Sequence, residues 1–155
     1  MSDPGSHRGP SVGAIVVTQR EGRVLVVMQA SGPFAGHWLL PGGAVERDET
    51  VGGGARRELL EETGLALEDP RLVAVYEVMS EPRGAFDIVL FMYEGTALGD
   101  PKAEAGSQVR WLDPNEAGLH PAMRRQLFDA RLREDDPLAM AADLLALGAR
   151  MFRLA

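Results

Sequence analysis

Apolar, mostly β-branched side chains run almost unbroken over residues 12–17 and again over 24–28, with the turn-like Gln19-Arg20-Glu21-Gly22 between them. Runs of this length, punctuated by glycine, predict two strands joined as a β-hairpin. Residues 31–36 read as a loop carrying Gly32, Pro33 and Gly36, and the short apolar stretch 37–40 is broken by Pro41-Gly42-Gly43. The pattern then changes. Residues 51–63 read as a helix, with Thr50 placed to cap its N-terminus and Gly64 where a glycine commonly ends one. Gly52-Gly53-Gly54 conflicts with that assignment, because an interior glycine costs about 1 kcal/mol relative to alanine. The three fall in the first turn, where fewer intrahelical bonds depend on them, so a mobile first turn is expected. Strand-like runs return at 72–79 and 86–94 around the turn Glu81-Pro82-Arg83-Gly84, and at 109–112 after a loop at 99–107. Helical spacing occupies 121–133, with Met123, Leu127 and Phe128, and 137–152, with Leu138, Leu144, Leu145 and Leu147. Strands interspersed with helices predict a mixed α/β domain over residues 11–155, after a disordered leader at 1–10. The amphipathic segment 137–155 is an added C-terminal helix that either caps the sheet or forms a homodimer contact.

Composition narrows the chemistry. The chain has 155 residues, with 16 Lys and Arg against 23 Asp and Glu for a net charge of -7, which disfavours a sequence-independent grip on nucleic acid polymers. It lacks the basic amphipathic face of a membrane-surface protein, and no apolar run approaches the roughly 20 residues of a membrane span. The first ten residues have no apolar signal-peptide core, so a cytoplasmic location is expected. With no Cys, a disulfide scaffold, a thiolate zinc site and a Cys nucleophile are excluded. The only histidines are His7, His37 and His120, so a metal would be a hard cation held by oxygen. The charge is also local: residues 46–69 hold eight acids and three arginines, a net -5 of the chain's -7.

Within that segment Glu58, Glu61 and Glu62 stand at i, i+3 and i+4 and share one helical face. Carboxylates so close repel one another, and a divalent cation such as Mg²⁺ would relieve the repulsion. Arg57 is placed to pair with Glu61, or with Glu49 if the preceding loop folds back. The glycines at 42 and 43 let backbone approach the same place and offer a carbonyl oxygen. Taken alone, three glutamates at this spacing favour an ordinary solvated helix face.

The longer pattern decides between these. Gly43, five residues, Glu49, seven residues, then Arg57-Glu58-Leu59-Leu60-Glu61-Glu62-Thr63-Gly64-Leu65 fill each fixed position of the Nudix box. The segment 43–65 therefore resembles the Nudix hydrolase family. Trp38-Leu39-Leu40-Pro41-Gly42-Gly43 is similar to the family's approach strand and turn, and Glu46 matches a further common glutamate; the likeness covers roughly residues 11–133. It implies an α/β/α sandwich with a mixed β-sheet and a loop-helix-loop motif. It also implies hydrolysis of a nucleoside diphosphate linked to another group, with Mg²⁺ or Mn²⁺. By position, Glu58 and Glu62 would be the principal metal ligands, Glu61 a further ligand or the holder of a metal-bound water, and the Gly42 carbonyl would complete the site. Arg57 and Glu49 would orient the helix and its carboxylates, with Glu62 the first candidate for the base and a downstream glutamate the second. Some members add an acidic ligand before the strand that holds Trp111. Here Gln108 stands where Glu is common, and Glu104 is the nearest substitute. The isomerase branch, which uses a catalytic Cys, is set aside.

The substrate is less legible. Phe34, Trp38, Tyr76 and Phe86 could stack on a base or belong to the core, with core packing favoured for Trp38 and Tyr76. Phe34 and His37, in a glycine-flanked loop, are the better binding candidates. Arg83 either reaches a phosphate or is simply solvated. Pro82 lies 17 residues after the box, near where branches acting on ADP-ribose often carry a proline, although the turn also accounts for it. The partner expected is a small nucleotide derivative, either a nucleoside triphosphate or a nucleotide sugar. A catalytically silent ligand sensor on the same fold is the rival, although sensors usually lose box carboxylates that are all present here.

Overall fold

The apolar run at the start of the chain becomes a central strand with both faces covered. In the computed structural model, which describes residues 9–102 and 108–155, β1 (Ser11–Val17) sends Ala14 and Val16 to one face and Ile15 and Val17 to the other, and all four are buried. A strand buried on both faces reads as a continuous apolar run rather than an alternation. The remaining elements are β2 (Gln19–Arg20), β3 (Arg23–Met28), β4 (Trp38–Leu39), β5 (Gly42–Ala44), α1 (Val51–Thr63), β6 (Ala66–Ser80), β7 (Asp87–Leu98), β8 (Val109–Leu112), α2 (Pro121–Asp129), α3 (Pro137–Ala146) and β9 (Ala149–Arg153).

Two sheets form. The larger runs β5-β1-β7-β6-β9 and is mixed: β1 lies parallel to β7, and its other pairings are antiparallel. In the smaller sheet β3 pairs with β2 and β4 along one edge and with β8 along the other. α1 packs Ala55 and Leu59 on the Ala14 and Val16 face. The opposite face, through Ile15, Tyr76, Val78 and Met92, meets Val24, Val26 and Leu112 of the smaller sheet and Met123 and Leu127 of α2. The sandwich expected from sequence is therefore present. Among the described residues no helix is long and apolar enough to cross a membrane.

Four expectations are corrected. Strands 12–17 and 24–28 do not form a hairpin with each other: β1 joins the larger sheet, and only Gln19 and Arg20 turn back onto β3. Burial of β1 between α1 on one face and the smaller sheet with α2 on the other outweighs the local turn. The strands at 72–79 and 86–94 are longer than expected, because a register shift between Glu68 and Arg71, with Asp69 at φ +49°, absorbs the polar Glu68-Asp69-Pro70-Arg71 into β6. The segment 137–152 is not one helix. α3 ends before Gly148, which adopts φ +82°, and β9 then adds to the sheet beside β6, with Met151 opposite Val78. The C-terminal helical extension is thus half helix and half edge strand. The helix foreseen at 121–133 stops at Asp129, ahead of Arg131 at φ +62°.

Helix α1 has the bounds its sequence signals require. Thr50 Oγ1 accepts the Gly53 N–H at 3.0 Å, and Gly64 closes the helix at φ +75°. Removing that cap in Thr50→Ala should cost about 1 kcal/mol, read as a lower urea midpoint at unchanged slope.

Candidate active site

The glycines that looked out of place in α1 have a local reason. A Cβ on Gly54 would fall 3.0 Å from Glu49 Oε1 and 3.2 Å from a Val45 methyl. The loop before the helix therefore folds back onto its first turn, which brings Glu49 to Arg57. Arg57 Nε and Nη2 donate to the Glu49 carboxylate at 2.7–3.2 Å, and Nη2 also donates to the Ala44 carbonyl at 2.9 Å. Arg57 Nη1 donates to Glu58 at 3.0 Å and to Glu61 at 3.1 Å, and lies 3.8 Å from Glu46. One guanidinium thus organises four carboxylates. Hydrogen bonds from Arg57, and then from the Glu46 N–H, hold the Glu49 carboxyl below its ordinary range. Both pairings foreseen for Arg57, with Glu49 and with Glu61, are made together.

The outer strand β5 meets this helix face. Gly42 N–H donates to Glu62 Oε1 at 2.7 Å, and a Cβ on Gly43 would lie 2.6–2.8 Å from the Glu58 carboxyl group. The Val16 N–H to Pro41 carbonyl and Val45 N–H to Val12 carbonyl bonds alternate along β1. That leaves Gly42 at a position whose N–H and carbonyl both face away from β1. Among the described residues, no three His, Cys, Asp or Glu side chains are already gathered at metal-binding geometry. The donors present are nonetheless hard oxygens: Glu58, Glu61 and Glu62 on one helix face, beside the glycine backbone. That set suits a hard divalent cation. Glu104 lies outside the described residues.

On its other side β5 borders a largely apolar cavity of about 470 Å³. Phe34, Leu40, Gly42, Gly43, Leu90 and Gln126 contribute to its lining. Of the aromatic and histidine candidates, only Phe34 reaches it. Trp38 is half-buried against the core with the Arg110 guanidinium 5.3 Å over its ring, and His37 is exposed, 4.7 Å from the His120 ring. His37 was a binding candidate and Trp38 was weighed between base stacking and the core; neither lines the cavity, Trp38 lying beside Arg110 of β8 and His37 beside His120 at the start of α2. His120 caps α2 by accepting the Ala122 N–H on Nδ1 at 3.1 Å, and burial, then nearby His37, pushes its pKa down to about 4. Tyr76 is core, its hydroxyl donating to Asp129 at 2.7 Å. Phe86 packs edge-on against Phe34 at 6.1 Å, and Arg83 pairs with Asp87 at 3.1 Å.

Sequence reasoning missed Val78, Ile88 and Leu90 on β6 and β7 and Ala122 and Gln126 on α2, all of which line the cavity. The apolar residues carried no signal separating them from core. Gln126 did: it is a polar residue on the stripe formed by Met123 and Leu127.

Comparison with known proteins agrees with this geometry. The NUDIX domain family matches residues 7–132. The chain is 33% identical to a MutT-like protein of Streptomyces ambofaciens over 120 residues, which make up 75% of this chain and 74% of that one. It is 34% identical over 86 residues to an ADP-ribose pyrophosphatase of Methanocaldococcus jannaschii, covering 55% of this chain and 51% of the other, so it spans about half that relative's length. A solved structure, the MutT NUDIX hydrolase of Burkholderia pseudomallei, superposes with a TM-score of 0.71 at 30% identity, over 79% of this chain and 98% of that one. A box filled at each fixed position, a sandwich that sets it against a glycine strand, and a family match over most of the chain lead to one conclusion: this chain belongs to the Nudix family.

Proposed function

We propose that the protein is a hydrolase of phosphoanhydride bonds that acts on a nucleoside diphosphate linked to a further group, either a nucleoside triphosphate or a nucleotide sugar such as ADP-ribose. One observation carries the reading: the carboxylates of α1 and the apolar cavity meet at the same two residues, Gly42 and Gly43. A molecule with a polyphosphate at one end and an organic group at the other fits such a junction. Glu58, Glu61, Glu62 and the Gly42 carbonyl would hold Mg²⁺ or Mn²⁺, with Glu104 a further candidate from sequence. The ion, when bound, would offset negative charge on the phosphate oxygens. Arg57 holds Glu49, Glu58 and Glu61 in place on the helix. Glu62 would take the proton of the attacking water, and Phe34 would offer an aromatic surface at the cavity.

The test is a panel of nucleoside triphosphates, oxidised triphosphates, ADP-ribose and other nucleotide sugars, incubated with Mg²⁺ and followed by mass spectrometry of the products. Turnover of at least one compound is expected, abolished by a chelator and restored by Mg²⁺ or Mn²⁺. Product masses assign the bond cleaved. No turnover across the panel would overturn the reading, and binding without turnover would favour a ligand sensor instead.

A further inference from the structure

The larger sheet ends on β9, at the edge opposite β5. Two backbone bonds fix how β9 faces. Glu81 N–H donates to the Gly148 carbonyl at 2.9 Å, and Leu154 N–H donates to the Val75 carbonyl at 2.7 Å. The even-numbered residues of the strand therefore direct their backbone groups at β6, and Ala149, Met151 and Arg153 direct theirs outward. Among the described residues no backbone group bonds to that outer edge. Folded proteins usually blunt such an edge with proline, lysine, a bulge or a covering segment. Ala149–Arg153 contains neither proline nor lysine. α3 does not close over it either. A groove of about 210 Å³ is lined by Ala141 and Leu145 of α3 and by Arg150, Met151 and Phe152 of β9. Arg150 and Phe152 lie on one face of the strand and Met151 on the other, so the groove opens along the strand's edge.

Three properties of this edge select its occupant. Its outward backbone groups are complementary to themselves. An antiparallel copy, turned about a two-fold axis at Met151, pairs Met151 with its counterpart and Ala149 with Arg153. Phe152 then lies opposite Arg150 of the second copy, a ring beside a guanidinium. The edge is also neutral. Arg150 Nε donates to Glu81 at 2.8 Å, Arg125 of the groove donates to Asp129 at 2.8 Å, and Arg153 lies 3.3 Å from Asp129. Two copies meet no repulsion there, and a strongly charged peptide finds no unpaired charge. Finally, the surface is apolar. Leu145 and Phe152 are 42% and 48% exposed, and Leu138 and Leu154, on the same sides of α3 and β9, are more exposed still. These four side chains present roughly 400 Å² per copy, about half of the ~800 Å² that each partner in a specific dimer buries, and the strand edge and groove walls add to it.

We propose that the outer edge of β9, with the groove beside α3, is a two-fold interface at which a second copy of this chain adds its own β9, joining the two larger sheets into one. β5 and the α1 carboxylates lie at the far edge of each sheet, so both candidate sites stay open.

The test is the mass and edge protection of the full chain, neither of which depends on hydrolysis. Sedimentation equilibrium at micromolar concentration should give twice the 16.7 kDa of one chain. Phe152→Arg places a cation beside Glu77 on its own sheet but against Arg150 of the second copy. It should fold, by circular dichroism, and raise the dimer dissociation constant by at least about tenfold. Met151→Pro removes an N–H that faces outward and leaves the bonds to β6, and should do the same. In the wild type, amide exchange at Met151 and Arg153 should slow as concentration rises, while Arg150 and Phe152, already bonded to β6, stay unchanged. A monomeric wild type, a dimer that survives in either folded variant, or a dimer whose Met151 and Arg153 amides exchange as fast as in the dilute protein would each overturn the proposal.

Discussion

Glu62→Gln should lower kcat by roughly 10²–10⁴-fold while the protein stays folded. Glutamine keeps the shape of the side chain, and its carbonyl oxygen can still accept the Gly42 N–H that Glu62 accepts at 2.7 Å. The contact joining α1 to β5 therefore survives. What is lost is the negative charge and the ability to take a proton, the two properties the proposed chemistry asks of this position. Initial rates on the substrate found by the panel, together with a thermal melt, check both halves. Activity near wild type would remove Glu62 from the centre of the site, and a collapsed melt would mean that its charge serves the fold.

Gly42→Ala and Gly43→Ala, adjacent and chemically identical, should fail in different ways. A Cβ on Gly42 would stand 2.2 Å from the Ala14 carbonyl oxygen and 2.7 Å from Ile15 Cα. Both are backbone of the buried β1, so the strand itself must move. Overpacking of this kind should cost about 3 kcal/mol, which for a chain of this size lowers the melting temperature by roughly 6–12 °C. A Cβ on Gly43 meets the Glu58 carboxyl group at 2.6–2.8 Å, together with the Ala14–Gly43 pairing of β1 and β5. The near neighbour here is the end of a flexible side chain, so Glu58 swings aside and the fold is kept. Gly43→Ala should melt near wild type and yet turn over at least tenfold more slowly, since a displacement of about 1 Å at a working group is enough to cost 10²-fold. Equal melting temperatures for the two variants would contradict this division.

The parts of the molecule that were legible in the sequence are those whose causes are local. Thr50, Gly64 and the apolar Ala55 and Leu59 define α1 without reference to anything distant, and the acidic face follows from spacing along the same helix. The partners of β1 were not legible, because its pairing with β7 joins residues about 77 positions apart and depends on α1 covering one face and the smaller sheet with α2 the other. β9 was hidden for a similar reason: Ala149–Arg153 carries a pattern compatible with helix, and only the free edge of β6 makes it a strand. In the site, the α1 carboxylates and Arg57 were named from the sequence, as was Phe34. The cavity's other walls come from β6, β7 and α2, and no motif links them. Gln126 was the exception, visible as a polar break in an apolar stripe but without a meaning until the cavity stood beside it.

The three-residue strand β5 has its acidic neighbours on one side and the cavity on the other. Side chains contributed by α2 and the 29–34 loop can therefore vary without disturbing the charges on α1. On the proposed function, a laboratory library confined to those two segments would exchange one nucleotide preference for another while leaving the proposed bond-breaking groups in place.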